Sequence, residues 1–185
     1  MIYVALLRGI NVGGKNKVNM GELKETFERI ALEEVTTYIN SGNVIFADEK
    51  HTPAGLKKII QEAIRKDFQM EIPVIIRSLD DFEVMIQELP DSWANDKNRK
   101  CDVLFLGEEI DNEAVLEELT IKPGIDTVRY VPGAVLWSID RKNVTKSGLM
   151  KIIGTKIYKI MTVRNVNTTR KIYVMMKNSS QNKLK

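Results

Sequence analysis

The run Ile2-Tyr3-Val4-Ala5-Leu6-Leu7 leads directly into Arg8-Gly9-Ile10-Asn11-Val12-Gly13-Gly14-Lys15-Asn16-Lys17-Val18. Six consecutive apolar residues, β-branched near the start, predict a buried strand that ends at Arg8. The next ten positions hold three glycines, two asparagines and two lysines, a composition that adds little to a core and costs backbone entropy on folding. Because binding residues concentrate in connecting loops, we expect this loop to do more than join two elements.

Helix and strand signals alternate along the chain after this loop. Asn19 and Thr52 are typical N-caps, and each precedes a helical stripe of apolar residues. Between these helices, two strand-like runs flank Asn40-Ser41-Gly42-Asn43, whose small residues predict a hairpin turn. A strand at 72–76 and a short helix capped by Asp80 complete a βαββαβ order with one additional helix.

A second set of elements follows the polar connection at residues 91–100. The predicted elements are a strand at Asp102–Leu106, a helix at Asn112–Leu119, a hairpin around Pro132-Gly133, a helix capped by Ser147 that runs to Met161, a strand at Thr162–Val166 and a last helix that begins at Thr168. The order βαββαβ therefore repeats, which suggests an internal duplication of pattern.

This repeated order predicts an α+β fold of two ferredoxin-like (βαββαβ) α/β-plait subdomains, each an antiparallel sheet with helices on one face. The first subdomain covers residues 1–90 and contains the glycine-rich loop, and the second covers 101–185 and contains a basic C-terminal part. The pattern leaves open whether the two remaining sheet faces bury each other or accept a ligand.

The composition is that of an ordinary soluble globular protein, with 43% hydrophobic and 29% charged residues in 185. No apolar run approaches the ~20 residues that a membrane-spanning helix needs, and the N-terminal run lacks the flanks of a signal peptide. The lone cysteine, Cys101, forbids an internal disulfide and is expected to be a small core residue. These features predict a cytoplasmic protein.

Charge is distributed unevenly along the chain. The first 140 residues hold 16 basic and 25 acidic residues, a net charge of −9, whereas residues 141–185 hold 12 basic and no acidic residues. This asymmetry fits an anionic partner that binds the basic part, or electrostatic docking. The docking could join the acidic and basic parts of one chain or pair two chains in a dimer. The remaining alternative is a basic face that is only solvated. If the partner is a nucleic acid, the candidate contacts are Lys142, Lys146, Lys151, Lys156, Lys159 and Arg170.

The glycine-rich loop comes within one residue of the phosphate-binding pattern G-x-x-x-x-G-K-[ST]. Asn16 stands where the pattern needs a hydroxyl for magnesium, and the helix cap at Asn19 falls too late for a nucleotide-hydrolysing loop. A looser interpretation is an anion-binding loop, in which backbone N–H groups and the charges of Arg8, Lys15 and Lys17 hold a phosphate or carboxylate. The alternative is that Arg8 pairs with an acidic residue and the glycines only permit a tight chain path.

Two further polar clusters are candidates for the same ligand site. One is the hairpin turn at Asn40–Asn43, and the other surrounds Arg164 and Asn165 near the start of the last helix, where Asn167 or Thr168 could instead be an N-cap. The candidate ligand-binding residues are Arg8, Gly9, Asn11, Gly13, Gly14, Lys15, Asn16, Ser41, Asn43, Arg164 and Asn165. With a single histidine, His51, in a polar loop, no Ser-His or Cys-His catalytic pair is indicated, and no metal or cofactor is assigned.

Three blocks of the chain carry a family resemblance: Leu6–Asn16, Tyr38–Val44 and Thr162–Thr168. They resemble the corresponding blocks of a widespread bacterial family that is known only as a domain of unknown function. The resemblance covers nearly the full length, and it implies a pair of ferredoxin-like subdomains but no activity, cofactor or catalytic residue. Asn19 stands where proline is expected, and Val166 stands where an aromatic residue is common.

Overall fold

A computed structural model describes residues 1–182 of the chain. Those residues separate into two compact units: residues 1–80 with the residues from Ile172 onward, and residues 81–171. The predicted boundaries at 90 and 101 stay predictions. In chain order the helices and strands are β1 (Ile2–Leu7), α1 (Met20–Arg29), β2 (Glu33–Tyr38), β3 (Asn43–Ala47), α2 (Pro53–Phe68), β4 (Val74–Ser78), α3 (Leu79–Glu88), β5 (Arg99–Leu106), α4 (Val115–Glu118), β6 (Thr127–Val131), β7 (Ala134–Asp140), β8 (Met161–Asn165) and α5 (Val166–Asn182).

The first unit is built on a four-stranded antiparallel sheet with strand order β2-β3-β1-β4. Alternate residues of β1 (Tyr3, Ala5 and Leu7) belong to the hydrophobic core that includes residues of α1 and α2. Helix α2 contributes Leu56, Ile60 and Ile64, which recur every four residues and are fully buried. Burial of each such side chain contributes ~1.5–3 kcal/mol, so α2 is a main source of stability for this sheet.

Side-chain caps fix the starts of α1 and α2, as their sequences predict. The side chain of Asn19 accepts hydrogen bonds from the backbone N–H groups of Gly21 (2.8 Å) and Glu22 (3.2 Å), so α1 begins at Met20. The hydroxyl of Thr52 accepts one from the N–H of Gly55 (3.2 Å). Both predicted N-caps are confirmed.

The second unit contains a four-stranded antiparallel sheet with strand order β6-β7-β5-β8. Its core includes Leu104 and Leu106 of β5 together with Val135 and Trp137 of β7. Cys101 is fully buried, as predicted, and its thiol donates a hydrogen bond to the Ser138 hydroxyl at 3.3 Å. The structure is therefore a mixed α+β fold with two four-stranded antiparallel sheets.

The predicted helix from Ser147 to Met161 is wrong. The chain forms two short 3₁₀ helices there instead, at Leu149–Ile152 and Ile157–Ile160, and a third, at Arg141–Lys146, precedes them. Two backbone features exclude a continuous α-helix. Ile153 has ψ of 123°, and Gly154 has φ of +92°, and both values lie outside the range of a right-handed helix. Leu149 and Ile157 therefore reach the core from separate turns, and Ile153 between them stays exposed.

Other element boundaries differ from the sequence prediction by smaller amounts. The predicted helix at Asn112–Leu119 is reduced to the single turn α4, which follows a turn where the Asn112 side chain accepts a hydrogen bond from the N–H of Ala114. Helix α3 begins before Asp80, and α5 begins before Thr168, so neither residue is the cap that the sequence suggests. The strand predicted at 72–76 is β4, two residues later along the chain.

Candidate functional site

The loop that follows β1 leaves the sheet between two fixed points. The N–H of Leu7 donates to the carbonyl of Gly42 at 2.8 Å, and the N–H of Arg8 donates to the carbonyl of Pro73 at 2.9 Å. Strand β1 is thus held on both sides up to its last residue. Arg8 begins the loop from this position, with a half-buried side chain.

The two adjacent glycines form the tip of a small turn within the loop. The N–H of Asn11 donates to the carbonyl of Asn16 (3.0 Å), and the N–H of Lys15 donates to the carbonyl of Val12 (3.1 Å). Gly13 and Gly14 have φ of +59° and +75°, the pair of left-handed conformations that a tight two-residue turn needs. A Cβ at either position would meet no atom within 4 Å, so conformation and not crowding requires glycine here.

Two predicted ligand-binding asparagines use their side chains to hold the loop together. The amide of Asn11 donates to the carbonyls of Val18 and Asn40, both at 2.9 Å, and its oxygen accepts from the N–H of Val18 at 2.9 Å. The amide of Asn16 donates to the carbonyl of Gly9 at 3.0 Å. Both asparagines have positive φ, which this residue type tolerates better than most. Their geometry suits a shaping role for the loop.

The bond from Asn11 to Asn40 brings the loop and the hairpin turn together, as the sequence analysis expected of these two clusters. Asn43 is fully buried and donates to the carbonyl of Tyr38 (2.9 Å) and the hydroxyl of Ser41 (3.1 Å). Gly42 has φ of +78°, and a Cβ there would lie 2.7 Å from the Cβ of Leu7. Conformation and close packing therefore both require glycine at this position.

An open groove of about 570 Å³ lies between the loop and the first turn of α1. Lys17 lines this groove, and Lys15 is adjacent to its wall at Gly14; both lysines are exposed. Within the described part of the chain, neither lysine forms an ion pair. The residues that line the groove are Asn11, Gly14, Lys17, Val18, Asn19, Met20, Gly21 and Asn40.

Arg164 and Asn165, the other predicted site residues, lie in the second unit at the end of β8. Arg164 is 7% exposed, and its guanidinium donates to the Thr162 hydroxyl and the Val163 carbonyl, both at 2.9 Å. Burial lowers the pKa of the Arg164 guanidinium to about 10. The side chain of Asn165 accepts from the N–H of Thr168 at 2.9 Å, so Asn165, and not Asn167 or Thr168, caps α5.

The basic residues proposed for nucleic-acid contact divide into two groups. Arg170 donates to the backbone carbonyls of Pro90 and Trp93, so its guanidinium holds the chain near α3. The five lysines are exposed, and they lie on or between the 3₁₀ helices instead of along one helix face. These five are Lys142, Lys146, Lys151, Lys156 and Lys159.

Asp48 and His51 form a polar pair that the sequence analysis missed. The Nδ1 atom of His51 lies 3.0 Å from a carboxylate oxygen of Asp48, a nearly buried residue that also accepts from the N–H groups of Lys50 and His51. Burial alone raises the pKa of Asp48, but the hydrogen bonds outweigh it and hold this pKa below its usual value. A carboxylate bonded to an imidazole nitrogen orients the ring for proton transfer. The sequence signal for this pair was the three-residue spacing between Asp48 and His51.

The described residues contain neither a membrane-spanning helix nor a cluster of metal-ligating side chains. No helix among them is long and apolar enough to cross a membrane. In the same residues, no group of three or more His, Cys, Asp or Glu side chains is arranged to hold a metal ion.

Comparisons with known proteins place the chain in a family. Residues 1–137 match the model of a family described as protein of unknown function (DUF1697). A solved structure, that of conserved bacterial protein SP0830 from Streptococcus pneumoniae, superposes with a TM-score of 0.81 at 31% sequence identity. The match covers 95% of this chain and 98% of that one. No curated protein matches the chain. The chain therefore belongs to the DUF1697 family of proteins of unknown function.

Proposed function

We propose that this protein binds a small phosphate- or carboxylate-bearing ligand in the groove between the Arg8–Val18 loop and the first turn of α1. One observation carries the proposal: two exposed lysines, Lys15 and Lys17, flank a groove that ends at a helix N-terminus, and neither forms an ion pair with residues 1–182. The N–H groups of Gly21 and Glu22 at the start of α1 already donate to the Asn19 side chain, so the helix N-terminus favours an anion through its partial positive charge. The two lysines provide the direct contacts. Arg8 adds a third cationic side chain at the start of the same loop.

The asparagines and glycines of the loop support this proposal as shaping residues. Asn11 and Asn16 hold the backbone with their amides, and Gly13 and Gly14 permit a tight turn with open space around it. A loop whose shape is set before binding loses less conformational entropy when a ligand arrives. The carbonyl of Asn40 holds the loop from the adjacent hairpin, and Asn43 and Ser41 bond to each other within that hairpin. We assign Arg164 and Asn165 to a polar cluster of the second unit.

The test is a titration with phosphate, pyrophosphate and acetate at constant ionic strength, followed by the backbone amide NMR signals of residues 9–21. We expect saturable shifts in these residues. The double variant Lys15→Ala/Lys17→Ala should weaken binding about tenfold or more, because a hydrogen bond to a charged group contributes about 1.5–3 kcal/mol. The matched control, Lys58→Ala/Lys66→Ala, removes the same charge from α2 and should bind like the wild type. Equal binding by both double variants would reject the proposal.

Nucleic-acid binding through the basic residues is a second candidate. The observation that favours it is the exposure of all five lysines between residues 142 and 159, in a part of the chain without acidic residues. Binding of a mixed-sequence RNA and DNA, measured by fluorescence anisotropy at two salt concentrations, should weaken steeply with salt. Absence of binding at low salt would reject it. The third alternative, docking or dimerisation through charge, predicts that sedimentation changes with salt.

For the fold, we propose that both units are ferredoxin-like plaits that arose by duplication. The supporting observation is that the two sheets have corresponding strand orders, β2-β3-β1-β4 and β6-β7-β5-β8. In each sheet the first strand pairs antiparallel with the third and fourth strands. Arg77 and Arg164 also occupy corresponding positions, opposite Val4 and Val103, and each donates to the carbonyl of the preceding residue.

A further inference from the structure

The second unit contains a pocket of about 170 Å³ that is separate from the groove at the glycine loop. Its floor is the face of the sheet that contains Leu104 and Trp137, and its cover is the segment of 3₁₀ helices that replaces the expected helix. Leu149, Ile152 and Ile153 form part of the cover. Most of the wall is apolar, so the pocket favours a ligand with a hydrophobic body.

One end of the pocket is polar. The ammonium of Lys100 lies 2.6 Å from a carboxylate oxygen of Asp102, and the Asp102 side chain is 7% exposed. The same ammonium lies 5.4 Å from the ring centroid of Trp137. Together the two charges cancel, so this end offers one hydrogen-bond donor group and one acceptor group without net charge. A neutral polar group that both donates and accepts fits it better than a carboxylate, which would face Asp102.

Trp137 is held in place by a buried carboxylate behind the pocket. The indole N–H of Trp137 donates to Asp126 at 3.1 Å, and Asp126 also accepts from the Ser147 hydroxyl and from the N–H of Gly148. Because Ser147 and Gly148 lead directly into the covering turn at Leu149–Ile152, one carboxylate fixes both the aromatic wall and the cover. The pocket is therefore formed before any ligand enters.

We propose that this pocket binds a single-ring aromatic compound with a neutral hydroxyl group, of the phenol type. An apolar protein cavity of about 150 Å³ accommodates benzene, so 170 Å³ has room for one ring with one polar substituent. Trp137 and Tyr158 offer aromatic surfaces against which a flat ring packs well. The hydroxyl donates to the Asp102 carboxylate and accepts from the Lys100 ammonium.

The test is a titration of the full chain with phenol, toluene, cyclohexanol and benzoate, followed by the indole N–H signals in NMR spectra. The chain has two tryptophans, and Trp93 does not line the pocket, so its signal is an internal control. We expect phenol to shift the Trp137 signal with a dissociation constant on the order of 1 mM, a plausible affinity for seven heavy atoms. Toluene, cyclohexanol and benzoate should each bind about tenfold more weakly.

Two variants separate the polar and apolar parts of the site. Lys100→Met/Asp102→Leu removes the ion pair and should reduce phenol binding to the level of toluene. Ile153 lines the pocket and is 63% exposed, so Ile153→Ala should weaken phenol binding about threefold. The matched control is Val84→Ala on α3, where the side chain is 49% exposed and does not line the pocket, and it should leave phenol binding unchanged.

Three outcomes would overturn the proposal. They are equal affinity for phenol and toluene, tighter binding of cyclohexanol or benzoate than of phenol, and no shift of the Trp137 signal at 10 mM phenol, roughly ten times the expected dissociation constant. A parallel shift of the Trp93 signal would show non-specific binding and would overturn it as well.

Discussion

The two sheets of this protein have corresponding strand orders. They differ in the segment that packs on the sheet face in contact with the hydrophobic core. In the first unit, the sixteen-residue helix α2 buries Leu56, Ile60 and Ile64 in one continuous stripe. In the second unit, three 3₁₀ helices occupy the corresponding place in the chain, and two of them bury one residue each, Leu149 and Ile157. The second cover leaves a pocket of about 170 Å³ over its sheet. A strand pattern therefore specifies a sheet without specifying what covers it.

Local residues explain why one cover is a helix and the other is not. Helix α2 starts with a Thr52 cap and Pro53 at its first position, and it ends at Gln69 in a left-handed conformation. The second cover is interrupted at Ser147 and Gly154, and the carboxylate of Asp126 accepts from the Ser147 hydroxyl and the Gly148 N–H.

The largest expected effect is on the helical cover. Ile60→Ala removes a fully buried side chain from the centre of α2 and should lower the free energy of unfolding by about 4 kcal/mol, from lost burial and a residual cavity. Ile153→Ala, on the other cover, removes a side chain that is 63% exposed and should cost less than about 0.5 kcal/mol. Urea denaturation of both variants measures the contrast. Similar losses would mean that the two covers contribute alike.

Close packing at Gly148 predicts the next effect. A Cβ there would lie 1.9 Å from the backbone carbonyl oxygen of Thr120, so Gly148→Ala should lower the free energy of unfolding by about 3 kcal/mol. The matched control is Gly55→Ala in the first turn of α2, where the nearest atom would be 3.4 Å away. That change should be neutral or stabilise by up to about 1 kcal/mol. Chemical denaturation compares them, and a neutral Gly148→Ala would contradict the packing.

The Asp126 carboxylate predicts a moderate effect on the second cover. Asp126→Asn replaces an acceptor with an amide that must place a donor toward the N–H groups of Lys122 and Gly148 or the hydroxyl of Ser147. We expect a loss of about 2 kcal/mol in the free energy of unfolding, because bonds to a buried charged group are lost. The indole N–H signal of Trp137 should also shift, and an unchanged signal would contradict its bond to Asp126.

The smallest effect is a pH dependence that the same carboxylate introduces. Burial raises the pKa of Asp126, but hydrogen bonds from Ser147, Lys122, Gly148 and Trp137 outweigh it and lower the pKa below its usual value. A lowered folded-state pKa means that the unfolded chain binds the proton more readily. The stabilisation is therefore complete above the unfolded value of about 3.9 and is lost as the pH falls through the folded value.

Denaturation at pH 6 and pH 3 provides the measurement. The wild type should lose more stability between these values than Asp126→Asn, in which position 126 does not titrate. Asp48, whose pKa is also lowered, titrates in both proteins and cancels in the difference. An equal loss in the two proteins would remove Asp126 from the acid response.

The first unit could be predicted further from its sequence than the second. Asn19 and Thr52 cap helices through bonds to residues two or three positions away, and these interactions are visible as local sequence patterns. The helix predicted from Ser147 to Met161 is wrong because the chain leaves helical geometry at Ile153 and Gly154. The hydroxyl of Ser147 is held by Asp126, 21 residues earlier, in a bond that no local pattern shows. Periodic apolar spacing alone could not distinguish one helix from two separate turns.

The candidate site shows the same limit. The sequence identifies the polar loop at Arg8–Val18, but it does not distinguish side chains that can reach a ligand from side chains that hold the backbone. Asn11 becomes a shaping residue only because Asn40, 29 positions later, lies within 2.9 Å of its amide. The Lys100–Asp102 pair had a sequence signal, two opposite charges at alternate positions of a strand, but its significance depends on the pocket beside it.

By itself the sequence determined the order of strands and helices in the first unit, the loop after β1, the caps of α1 and α2, and the buried cysteine. Those features depend on residue type, periodicity and contacts within one turn of chain. Only the tertiary structure decided which asparagines shape the loop, how the second sheet is covered, and where a pocket with a charged pair at one end lies. Each of these depends on hydrogen bonds or packing between residues that are distant in sequence, so folding has to bring them together before their chemistry is defined.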